Sequence, residues 1–72
     1  MERRRHYWNA KWGRIARRDI LIFEDAGRWL VEAREGGEDG ASRWFDVGDE
    51  NGAFDLVRSL MSDSTDWREL SA

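Results

Sequence analysis

The chain has 72 residues, five tryptophans, one histidine, no cysteine and no proline, and its net charge is −3. That length allows one domain. The missing cysteines exclude disulfides and thiolate zinc sites, and one histidine cannot build a typical zinc centre unless several carboxylates stand beside it.

A domain this small buries only about 60% of the surface its unfolded chain exposes. A dense aromatic core or oligomerisation is therefore expected to supply the missing stability. No apolar segment follows Arg3, Arg4 and Arg5 as a signal peptide would require. The longest apolar run, Ile20 to Phe23, is far short of the ~20 residues of a membrane span. Absent cysteine fits a reducing compartment. The expectation is a soluble, cytoplasmic protein with no membrane contact and no cofactor.

Charge divides the chain. Residues 1–18 hold seven of the twelve Lys and Arg and one acid, a balance of +6. Residues 19–72 hold the other five and fourteen acids, a balance of −9. We read 1–18 as a basic aromatic N-terminal arm and 19–72 as a β-β-β-α domain with a C-terminal tail over 63–72. Such an arm can lie against its own body, or it can bind a polyanion, an acidic protein or a second copy.

Within the arm, Trp8, Trp12, Ile15 and Ala16 have helical spacing, although Gly13 weakens a helix by about 1 kcal/mol. The alternation of Trp8, Ala10 and Trp12 fits a strand instead, so the arm is either a helix, the preferred reading, or a strand extension. From Asp19 the pattern sharpens. Ile20, Leu21, Ile22 and Phe23 form a compact β-rich run that ends at the turn signal Asp25-Ala26-Gly27. Arg28 to Glu35 alternates, with Trp29, Val31 and Ala33 on one face and Leu30, Glu32 and Arg34 on the other. The acidic Gly36–Gly40 loop leads to a third strand over Ser42 to Val47. Asp49 is a candidate N-cap for a helix over residues 50–62. Its apolar stripe is Ala53, Leu56, Val57, Leu60 and Met61. Asp66-Trp67-Arg68-Glu69 has the spacing of a capping box opening a last helical turn. The fold class is α+β: a three-stranded antiparallel meander, one C-terminal helix on one face and a short last helical turn.

One helix covers one face of such a sheet. If Val31, Ala33, Phe45 and Val47 face the helix, pleat alternation sends Leu30 and Trp44 to the other side. One pair from the first strand joins them, either Ile20 and Ile22 or Leu21 and Phe23. That patch exceeds what soluble monomers usually leave bare. Three covers are open: the chain's own arm through Trp8, Trp12 and Ile15, a second copy, or another protein.

Catalytic chemistry is not legible. His6 sits in the arginine run and reads as a solvated or stacking residue, with no paired nucleophile. No phosphate-cradling glycine motif occurs. The stretch Asp46 to Arg58 resembles the centre of an EF-hand loop, but Val47 and Arg58 fall where its first and twelfth ligands belong, and it is rejected. The chain is therefore expected to be a small non-enzymatic interaction module. A bacterial accessory or regulatory protein is the expected kind, working through a protein partner or as a homodimer. Leu30, Trp44, Trp8 and Trp12 are its candidate interface. The alternative is nucleic-acid binding by the arm, through Arg3, Arg4, Arg5, Lys11, Arg14, Arg17 and Arg18, with aromatic rings available for stacking.

Overall fold

The computed structural model describes Met1 to Leu70; Ser71 and Ala72, the end of the 63–72 tail, lie outside the described residues. Six elements follow in chain order: β1 (Glu2–Trp8), β2 (Arg18–Asp25), β3 (Arg28–Glu35), β4 (Ala41–Asp46), α1 (Glu50–Leu60) and β5 (Arg68–Leu70). All strands join one antiparallel sheet, in the order β4-β3-β2-β1-β5.

The three predicted strands, here β2, β3 and β4, and the helix are present, but the sheet has five strands rather than three. The preferred helix for the arm is overturned, and so is the alternative strand through Trp8, Ala10 and Trp12, because residues 9–17 form a loop. Glu2–Trp8 is a full strand paired along β2 from Glu2↔Glu24 to Trp8↔Asp19, with a register shift between Arg3 and Arg5. The physical reason lies in β2. Ile20, Leu21 and Ile22 are all buried, so this strand is apolar on both faces and belongs in the middle of a sheet. A middle strand needs a neighbour on each side to satisfy its backbone N–H and C=O groups. β3 supplies one, and only β1 can supply the other.

The predicted last helical turn at Asp66–Glu69 is also overturned, because Arg68–Leu70 pairs with His6–Trp8 of β1. The residues of the capping-box pattern find other partners. The Ser64 hydroxyl oxygen accepts from the Asp66 N–H at 3.0 Å. Glu69 reaches across the ladder to accept from Arg5 at 2.7 Å. Covering the outer edge of β1 satisfies more backbone than one isolated turn would.

β2 and β3 are joined by the two-residue turn Ala26–Gly27, with φ of 51° and 85°. Positive φ at both positions is the backbone that matches the twist of a tight hairpin, and it is why glycine stands second. At Gly40 the requirement is space, since a Cβ there would lie 1.7 Å from the Glu35 carbonyl oxygen.

α1 packs Ala53 and Val57 onto Ile20, Ile22 and Val31, with Tyr7, Trp29, Phe45, Val47, Leu56, Leu60 and Trp67 around them. Asp49 caps the helix by accepting from the Gly52 N–H at 2.8 Å. Replacing Asp49 with alanine leaves that N–H without its partner and is expected to cost about 1 kcal/mol. Urea denaturation followed by tryptophan fluorescence measures it; an unchanged midpoint would show that water caps this helix equally well.

Candidate functional site

Among the described residues no helix covers the sheet face opposite α1, the open face. Strand pairing places on it Arg3, His6 and Trp8 of β1, Asp19, Leu21 and Phe23 of β2, Leu30, Glu32 and Arg34 of β3, and Ser42 and Trp44 of β4. Of the two candidate pairs in β2, Leu21 and Phe23 are the ones on this face. The open face divides into an aromatic end, a charged centre and a loop-covered end.

The aromatic end is built by Phe23, Leu30 and Trp44. The rings of Phe23 and Trp44 pack with centroids 5.3 Å apart, although they come from strands on either side of β3. Trp44 keeps 49% of its surface in solvent. Two of the predicted interface residues, Leu30 and Trp44, are therefore neighbours.

The centre is a pair of buried carboxylates, each held by its own arginine. Asp19 is only 2% exposed and accepts from Arg17 at 2.8 and 3.0 Å and from His6 Nε2 at 2.7 Å. Glu32 is 5% exposed and accepts from Arg34 at 3.1 Å through two nitrogens and from the Ser42 hydroxyl at 2.6 Å. Burial pushes both carboxyls up. For Asp19, the hydrogen bonds and charges of Arg17 and His6 outweigh burial and hold it below its ordinary value. For Glu32, hydrogen bonds from Arg34 and Ser42 and the charge of Arg34 do the same. Both acids are thus ionised partners of fixed cations, which is the condition under which a buried charge is tolerated.

His6 is correspondingly not a solvated member of the arginine run but a part-buried donor to Asp19. These two acids were missed in the sequence. Their signal was present, since an acid at a strand-interior position between apolar neighbours is rarely buried without a partner. Glu32 stands between Val31 and Ala33, and Asp19 directly before Ile20.

The loop-covered end is formed by the β1–β2 connection, organised by the buried side chain of Asn9. Its Nδ2 donates to the Ala16 carbonyl at 2.8 Å, and its Oδ1 accepts from the N–H groups of Arg18 at 3.0 Å and Lys11 at 3.3 Å. This holds Trp8 and Trp12 edge to face at 4.9 Å, with the Arg17 guanidinium 5.4 and 5.7 Å from their ring centres. The arm does not cover the aromatic end of the sheet. Trp12 is 74% exposed and Ile15 fully exposed, so the proposed stripe of Trp8, Trp12 and Ile15 is not buried against it. Trp8 and Trp12 adjoin each other but lie apart from the Leu30–Trp44 pair, at the opposite end of the strands.

The seven cations of the arm do not form one surface. Arg4 pairs with Glu24 and Glu2, Arg5 with Glu69, Arg17 with Asp19 and Arg18 with Asp63. Arg5 further stacks over Phe54 on the helix side, and Arg18 over Trp67. Among the described residues, Arg3, Lys11 and Arg14 have no salt bridge.

Among the described residues no group of three or more His, Asp or Glu side chains is placed to hold a metal ion. Every buried side-chain polar atom among them has a hydrogen-bond partner. A shallow hollow lined by Arg14, Glu35, Gly36, Asp39, Gly40 and Ala41 opens beside the start of β4. No helix among the described residues is long and apolar enough to cross a membrane. Comparison of the chain with protein-family models, with curated proteins and with solved structures found no match.

Proposed function

We propose that this protein is a small non-enzymatic binding module whose partner is another protein chain, docked on the open face around Trp44. The observation that carries the reading is the Phe23–Leu30–Trp44 patch. It sits on the face without a helix, and it ends in a half-exposed tryptophan. Aromatic residues of this kind dominate interface energies, because the ring brings a large apolar area at little entropic cost. The charged centre supports the reading in a second way. Asp19 and Glu32 have spent their hydrogen-bonding capacity on arginines of the same chain, which leaves them as a stiff floor beside the patch rather than as an acid–base pair.

Nucleic-acid binding by the arm has less support. Four of its seven cations already hold carboxylates, and they are spread over both faces of the sheet. Photo-crosslinking separates the two readings. With a benzophenone side chain at position 44, cells that express the chain natively should yield a discrete protein adduct, and the same group at the helix-surface position 55 should yield none. Adducts to RNA or DNA from position 12, with none to protein from position 44, would replace this reading by the other.

A further inference from the structure

The sheet has two edges, and they are finished differently. At one, β5 is only three residues long. At the other, β4 is six residues paired without a break to β3, with its opposite side unpartnered among the described residues. Natural sheets usually block such an edge with proline, a bulge, shortness or a run of charged side chains, and β4 carries only one charge of each sign, Arg43 and Asp46. The chain contains no proline. The one register shift in the ladders is in β1.

The direction of each β4 backbone group follows from the ladder. The Val47 N–H donates to the Trp29 carbonyl at 3.0 Å, so alternation turns the groups of Phe45, Arg43 and Ala41 towards β3 as well. Those of Ser42, Trp44 and Asp46 point outwards. Three donors and three acceptors therefore stand in a row centred on Trp44.

We infer that this edge pairs with β4 of a second copy, antiparallel about a two-fold axis at Trp44, giving a continuous ten-stranded sheet. The inference goes beyond the protein-binding reading above: it uses the outer edge of β4 and leaves the open face free to dock another protein. A two-fold axis perpendicular to the sheet keeps both helices on one side and both open faces on the other. Trp44 then lies opposite its own copy as a hydrogen-bonded pair, Ser42 opposite Asp46, and Arg43 opposite Phe45.

Charge disfavours the neighbouring register on the Ala41 side. Sliding the pair two residues towards Ala41 sets Arg43 against Arg43 of the other copy, a like-charge pair. Pairing at Trp44 instead sets a hydroxyl against a carboxylate, and a guanidinium against a ring of the kind it already stacks on in its own chain. On the open face the two Phe23–Trp44 stacks become one aromatic band shared by both subunits.

Sedimentation velocity of the full chain over roughly 5–500 μM is expected to show a reversible monomer–dimer equilibrium. A chemically synthesised chain with an N-methyl group on the Trp44 amide loses the central outward donor but no β3 bond. It should dimerise at least about tenfold more weakly, with unchanged circular dichroism. Should that chain fold poorly, cysteine trapping replaces it: an equimolar mixture of Ser42→Cys and Asp46→Cys should form a mixed disulfide-linked dimer on oxidation, and Ser42→Cys alone, which faces Asp46, should not. A monomer at every concentration overturns the inference, as does a dimer that N-methylation leaves intact or that Ser42→Cys alone traps equally well. A monomer whose position 44 still cross-links to a different protein would sink the dimer and leave the binding-module reading standing.

Discussion

Asp19→Ala is expected to remove about 2–3 kcal/mol of folding stability at neutral pH, at or below the low end of what breaking a buried ion pair costs. The low end is chosen because Arg17 keeps about a quarter of its side chain in solvent and can rehydrate. Two donors lose their acceptor at once, Arg17 and His6. A 72-residue chain has only about 4–10 kcal/mol in total, so the variant would lose about a fifth of it or more. Asp19→Asn keeps the shape and one acceptor and should fall between the two. Urea denaturation followed by tryptophan fluorescence decides it, and a loss under about 0.5 kcal/mol would show that the open-face centre is hydrated rather than buried.

Asp19 and Glu32 contribute to the acid limit of the fold, beside the exposed Asp46 and Asp63, which hydrogen bonds from Arg28 and Trp67 also hold below the ordinary value. Asp19 and Glu32 titrate below their ordinary values of 3.8 and 4.5 in the native state. Near pH 4 the unfolded chain consequently binds more protons than the folded one, and stability rises with pH there. Their contribution is complete above the ordinary values and is lost as pH falls through the native ones. The protein should accordingly hold its stability from neutral pH down to about 5 and lose it steeply below about 4. In Asp19→Ala that slope should become shallower but not vanish, because Glu32 remains.

Trp44→Ala is expected to behave in the opposite way, with little effect on folding and a large one on binding. Trp44 is half exposed on an edge strand, and the contact it loses with Phe23 is worth about 1 kcal/mol or less. Removing a central aromatic from a protein interface commonly costs 2 kcal/mol or more, which is about a 30-fold loss of affinity. The comparison to make is the affinity of wild type and variant for the protein captured from position 44, beside their urea midpoints. A variant that unfolds would make Trp44 a core residue and remove the basis of the proposed site.

Local pattern was enough to read β2, β3, β4 and α1, because each carries its own signal. Alternation marks β3, the Ala26–Gly27 turn closes the hairpin, and Asp49 with the Ala53–Met61 stripe marks the helix. Alternation also separated Leu30 and Trp44 from the helix side, since neighbouring residues in a strand cannot share a face. The arm and tail were not legible on the same grounds. Glu2–Trp8 is mostly charged, and its strand character comes from β2, whose second edge needs hydrogen bonds. Arg68–Leu70 is a strand only because β1 in turn exposes an edge.

The charged centre required the fold for a related reason. Asp19 and Glu32 sit on different strands, each two residues from its arginine, and what no spacing along the chain shows is that His6 joins the one and Ser42 the other. The sequence by itself determined the apolar faces, the turn, the helix and the excess of charge in the arm, all of which depend on residues within a few positions of one another. Only the tertiary structure decided that the first part of the arm, Glu2–Trp8, is a strand, that Arg4, Arg5 and Arg18 pair with distant acids and that β4 ends the sheet. Those depend on which backbone edges and which charges remain unsatisfied once the core has formed.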